Sequence, residues 1–145
     1  MRVTFPRLPD HERAWALVER DDGVVYRVYS GAAGPRLPHD IMHLVVEREL
    51  RIKDGIWAGI AAGEASHSPA LRAELLADLV SSAAILNTMT LDKIKRLMAD
   101  KLAVLPDADV DPVVIAAAAR ALQVEAARWA RLRVGEELSY DWPGK

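Results

Sequence analysis

Three consecutive stretches decide the fold: Ala14-Trp-Ala-Leu-Val-Glu19, then Arg20-Asp-Asp-Gly23, then Val24-Val-Tyr-Arg-Val-Tyr29. The outer two are rich in β-branched and aromatic residues, which suit a pleated, half-buried surface. Between them, Asp22-Gly23 is a turn pair whose glycine takes positive φ without a steric penalty. The spacing predicts a hairpin with strands over 14–19 and 24–29. Upstream, Val3 and Phe5 alternate with Arg2 and Thr4, which predicts a further strand over 2–5. The far end alternates again, in Leu138-Ser-Tyr140-Asp-Trp142. A lone strand leaves its backbone polar groups unpaired, so this segment is expected to return to the N-terminal sheet.

Helical signals fill the space between. Pro38 suits the first turn of a helix, predicted over 38–53 and stopped by Gly55. A short helix rich in small residues is expected over 56–65. Ser68-Pro69 reads as an N-cap followed by a first-turn proline, opening a third helix that runs to about Leu86. Thr90 is placed to cap a fourth from Leu91 to about Val104. Asp111-Pro112 repeats the cap-and-proline signal for a last helix to about Arg133, ended by Gly135. The expected architecture is α+β, one domain over 1–145: a small antiparallel sheet from both ends of the chain, packed on four to five helices.

Composition narrows the classes of function. The 145 residues are 51% hydrophobic, enough for one core and against wholesale disorder. Nineteen basic residues against 21 acidic ones, a net charge of −2, argue against a nucleic-acid partner. With no cysteine, disulfides, thiolate metal sites and cysteine nucleophiles are excluded. The charged, proline-bearing N-terminus lacks a secretory apolar run, and no stretch approaches the ~20 apolar residues of a membrane span. The expectation is a cytoplasmic protein with no membrane partner. No glycine-rich phosphate loop, dinucleotide fingerprint or serine elbow is present.

The densest group of proton- and metal-handling side chains is Pro38-His39-Asp40-Ile-Met-His43-Leu-Val-Val-Glu47. At about 100° per residue, His39, His43 and Glu47 follow one another about 40° apart, with Asp40 in the same arc. Histidines at i, i+4 aim both rings at one point, as a pair of metal ligands requires. Asp40 is placed either to orient a ring or to complement the positive end of the helix dipole. Glu47 reads as an i, i+4 surface ion-pair partner of Arg51. Downstream, Gly55, Gly59 and Gly63 form a row that lets a neighbour approach closely. Glu64 shares a helical face with Trp57 and Ile60 and is expected to point inward. There it would complete a His39/His43 site as third ligand or as acid/base. His67 stands at i, i+3 from Glu64, as a site residue or a turn residue. His11 reads as surface.

The string Leu37-Pro38-His39-Asp40-x-x-His43-x-x-Val46-Glu47, followed by Gly55-x-Trp57, resembles that of an uncharacterised family of small bacterial proteins. The Asp21-Asp22-Gly23 turn and the C-terminal tryptophan strand are similar too, so the likeness spans most of the chain; it implies no activity. His39-Asp40-x-x-His43 also resembles the H-D-x-x-H zinc motif of a coenzyme Q biosynthesis family. That motif places a glutamate twelve residues after its second histidine, where this chain has Gly55.

Two functions from different classes remain. One is a small metal-dependent enzyme of hydrolase type acting on a small molecule. His39, His43 and Glu64 would hold a divalent ion such as zinc, with Asp40 and Glu64 as the catalytic carboxylates; a variant needs no metal and makes a histidine the general base, held by Asp40. The other is a non-catalytic module that docks on a protein partner, its histidine helix a packed structural feature.

Overall fold

The computed structural model describes residues 1–64, 69–87, 90–105 and 110–143. Gly23 takes φ +87° at the hairpin turn, and Asp22 Oδ1 accepts from the Val24 N–H at 3.2 Å. The turn joins β2 (Arg13–Glu19) to β3 (Val25–Ala32), with Leu17 opposite Arg27 and Val18 opposite Tyr26. β1 (Arg2–Pro6) lies on the other side of β2, Val3 facing Val18. The tail strand β4 (Glu137–Asp141) returns to pair with β1, giving an antiparallel sheet of order β3-β2-β1-β4. The expected α+β architecture is therefore present.

Strand alternation sorts the two faces. Val3, Phe5, Ala16, Val18, Leu138 and Tyr140 are buried beneath the helices. On the outer face Arg27 stacks on Trp15 at 4.0 Å and Arg13 on Tyr29 at 4.5 Å. The described residues form five helices: α1 (His39–Leu50), α2 (Ile56–Ala61), α3 (Leu71–Ile85), α4 (Leu91–Lys101) and α5 (Pro112–Ala130). α1, α2 and α5 meet the inner face, through Arg48 on Tyr140, Trp57 on Phe5 and Glu125 on Tyr140, and α3 and α4 pack on α5. Asp111 caps α5 as expected, its Oδ1 accepting from the Val113 N–H at 2.9 Å. Thr90 occupies the N-cap of α4 without a side-chain hydrogen bond. α3 begins at Leu71 behind Ala70, and Ser68 lies outside the described residues.

Four helix ends differ from expectation, α4 among them, which stops at Lys101 rather than near Val104. α1 stops at Leu50 because Arg51 turns left-handed (φ 54°). α2 ends at Ala61, and Gly63 then takes φ +93°. α5 ends at Ala130; Gly135 (φ +95°) serves the turn into β4 instead, donating its N–H to the Arg7 carbonyl at 3.0 Å.

α1 is the central helix, packed against α2, α3 and α5. Ile41, Leu44, Val45 and Val46 are all fully buried, so it has no single apolar stripe. β4 is fastened to α5 by the Tyr140 hydroxyl, which donates to Glu125 Oε2 at 2.5 Å. Arg128 Nη1 donates to both Glu125 oxygens at 2.9 Å. Burial and the carboxylate beside it push the Tyr140 phenol well above its ordinary pKa. Among the described residues, no helix is long and apolar enough to cross a membrane.

Candidate functional site

The expected pair of imidazoles is formed at the start of α1. His39 Nε2 and His43 Nε2 stand 3.2 Å apart, with ring centroids 4.4 Å apart and planes at 67°. His39 is exposed, whereas His43 is 1% exposed. Burial, with His39 adding to it, lowers the His43 pKa to about 4. The ring is therefore neutral at pH 7 and keeps a lone pair available. Its Nδ1 has no hydrogen-bond partner and faces Glu47 Oε2 at 4.0 Å. A nitrogen–nitrogen separation of 3.2 Å fits a hydrogen bond. It also fits two metal bonds of about 2.0–2.1 Å meeting near the tetrahedral angle, which place their nitrogens about 3.1–3.4 Å apart.

Glu47 is not the surface partner of Arg51. It is 1% exposed and reaches across to the start of α2. Its Oε2 accepts from the Ile56 N–H at 2.9 Å, and its Oε1 accepts from those of Trp57 at 3.0 Å and Ala58 at 3.4 Å. The N-cap of α2 is Gly55, which brings no side-chain acceptor. A carboxylate from the preceding helix satisfies these donors instead. The close approach allowed by Gly55 is therefore to this carboxylate: a Cβ there would stand 2.1 Å from Glu47 Cδ. The missing cap at Gly55-Ile56 was the signal in the sequence that an acceptor had to come from elsewhere.

Glu64 does not join the histidines. It shared a face with Trp57 and Ile60 only while the helix continued, and α2 ends three residues earlier; Glu64 is exposed. His67 lies outside the described residues. The carboxylate that does approach is Glu74, in the first turn of α3. Its Oε2 is 4.0 Å from His43 Nε2, and its side chain is 47% exposed. No periodicity links α3 to α1, so sequence reading missed it. As the side chains stand, no group of three His, Asp or Glu among the described residues is close enough to hold a metal ion.

Asp40 follows His39 in the first turn of α1 and is half-buried. Its backbone carbonyl accepts from Trp57 Nε1 at 2.9 Å, which ties α1 to α2. Burial raises the pKa of its carboxyl, and the His39 ring counteracts part of that rise. Asp40 and His39 form part of the wall of a cleft of about 380 Å³ at the end of the sheet. Phe5, Trp15, Leu37 and Trp129 are among its other lining residues, and Trp129 Nε1 donates to the Gly34 carbonyl at 3.2 Å. No family model, curated protein or solved structure matches the chain.

Proposed function

We propose that the chain is a small metal-dependent enzyme of hydrolase type whose divalent ion is held by His39, His43 and Glu74. One observation carries this reading: two imidazole nitrogens of α1 meet at 3.2 Å, a spacing suited to two ligands of one ion. Three further features support it. His43 is neutral at pH 7, as ligation requires. Its far nitrogen lies 4.0 Å from the buried Glu47 carboxylate, the kind of group that serves as outer partner of a ligating histidine, with no hydrogen bond between them. Glu74 Oε2 stands 4.0 Å from His43 Nε2, within about 1 Å of the separation between two ligands of one tetrahedral ion, and a half-exposed side chain has freedom to adjust. Two imidazoles and one carboxylate leave a coordination position for water, which a divalent ion acidifies toward hydroxide at neutral pH.

The test is elemental analysis of untagged protein, as purified and after incubation with zinc, manganese or iron(II). About one ion per chain is expected in the wild type and in Glu64→Ala, and none in His43→Ala. Because His43 is buried, the exposed His39→Ala is run beside it, and it too should lose the ion. Glu74→Ala should bind more weakly. A wild type that holds no metal under any condition, or a His39→Ala variant that retains it fully, overturns the reading. The imidazole pair is then a hydrogen bond stiffening α1, and the non-catalytic module becomes the working description.

A further inference from the structure

The cleft at the end of the sheet is built like a small-ligand site. Its volume, about 380 Å³, is in the range of such pockets, and its lining is mostly apolar. Trp15 approaches it from β2 and Trp129 from α5. The indole N–H of Trp129 anchors the Gly34 carbonyl, so the loop forming one wall is already fixed. Arg36 also borders the cleft, but it is exposed to water.

Asp40 is the half-buried charge on that wall. Its carboxylate makes no hydrogen bond or ion pair with any described residue, and only the neighbouring His39 ring acts on it electrostatically; the Trp57 indole bonds its backbone carbonyl instead. Half-burying a carboxylate without a hydrogen-bond partner is costly; the positive end of α1, in whose first turn Asp40 stands, offsets part of that cost and leaves the carboxylate oxygens open toward the cleft. Each indole at the cleft already has an arginine over its ring, Arg27 at 4.0 Å from Trp15 and Arg7 at 5.9 Å from the buried Trp129, so the group left to answer is the carboxylate, and its fitting partner is a ligand cation. It would donate charge-assisted hydrogen bonds to the carboxylate while its body packs against the aromatic walls.

We infer that this cleft binds a small organic cation, a primary amine or amidine on a compact apolar body, with Asp40 as its counter-ion. His39 belongs to both the imidazole pair and the cleft wall, so the inference deepens the enzyme reading by naming its substrate class. The substrate role rests on that reading; the binding itself does not.

The experiment is calorimetric and NMR titration of the full chain with benzylamine, with the neutral benzyl alcohol and with the anionic phenylacetate. All three are run in EDTA, so that amine–metal coordination contributes nothing. Benzylamine is expected to bind about 10- to 100-fold more tightly than benzyl alcohol, with shifts at the Trp15 and Trp129 indole resonances. Asp40→Asn keeps the shape and should erase that preference without unfolding the chain. The inference is overturned by equal affinities, by a preference that survives Asp40→Asn, or by no binding of any probe at millimolar concentration. Benzylamine is also titrated into zinc-loaded protein without EDTA; amine binding seen only there overturns the inference too, while favouring the metal centre. Amine selectivity in a chain that holds no metal leaves the cleft assignment standing and removes the enzyme reading.

Discussion

Replacing Gly55 with alanine tests the junction between α1 and α2 through a double-mutant cycle with Glu47→Ala. Gly55 sits at φ −91°, ψ −174°, extended backbone that alanine adopts freely, so no conformational penalty enters. The obstacle is steric: the new Cβ would stand 2.1, 2.3 and 2.6 Å from Glu47 Cδ, Oε1 and Oε2. That carboxylate is not a loose tip, because three N–H groups of α2 hold it. Gly55→Ala must therefore expel it and abandon two firm charge-assisted hydrogen bonds, each worth about 1.5–3 kcal/mol. The expected loss is about 3–5 kcal/mol, a large share of the 5–15 kcal/mol typical of one domain. Glu47→Ala removes the same bonds and should cost about the same. With Glu47 gone the clash is gone, so the double variant should be no less stable than Glu47→Ala alone, and up to about 1 kcal/mol more stable from reduced chain entropy. The coupling is thus about 3 kcal/mol or more, far outside simple additivity. Urea unfolding followed by tryptophan fluorescence and circular dichroism measures it, provided the m-value is unchanged. Additive losses in the double variant, or a Gly55→Ala chain within about 0.5 kcal/mol of wild type, would refute the reasoning.

The remaining expectations concern His43 and Tyr140. His43 titrates near 4 in the folded chain against 6.5 unfolded, so between those values only the unfolded chain carries the proton. Its contribution is complete above pH 6.5 and declines as pH falls toward 4, by up to about 3 kcal/mol in metal-free protein. Urea midpoints measured across that window should slope accordingly, and a folded His43→Asn chain should show a flatter profile; equal slopes would count against the burial argument. Tyr140→Phe keeps the ring and removes the hydroxyl that ties β4 to Glu125. A loss of about 1–3 kcal/mol is expected, together with faster amide exchange in β4; an unchanged midpoint would mean that Arg128 alone satisfies Glu125.

The sheet was legible because its signals are local. Asp22-Gly23 sets the hairpin turn, and the alternation of Leu138, Tyr140 and Trp142 marks a strand wherever it docks. Asp111-Pro112 located the start of α5 for the same reason. The side-chain site was only half legible. The i, i+4 spacing of His39 and His43 fixes their meeting, because both lie on one rigid helix. Glu47 was misjudged because a nearby Arg51 offers a partner in the sequence, while the competing partner, an uncapped helix nine residues on, exists only in three dimensions. Glu64 was misplaced by carrying a helical projection past Gly63, where the chain has already left the helix. Glu74 could not be foreseen, since its proximity to His43 depends on how α3 crosses α1.

The pairing of β1 with β4 also bears on how the chain comes to be folded. Thr4 Oγ1 and Ser139 Oγ meet at 2.9 Å across 135 residues of sequence. β1 lies inside the finished sheet, yet one of its sides has no strand beside it until β4 arrives. During synthesis, Val3 and Phe5 therefore sit on an open strand edge while almost the entire helical body is made. Such an edge is a template for pairing with other chains, and contacts this distant in sequence form slowly. The hazard lies less in the folded sheet than in the interval before β4 is made, when the edge of β1 must wait for a partner some 135 residues further along the chain.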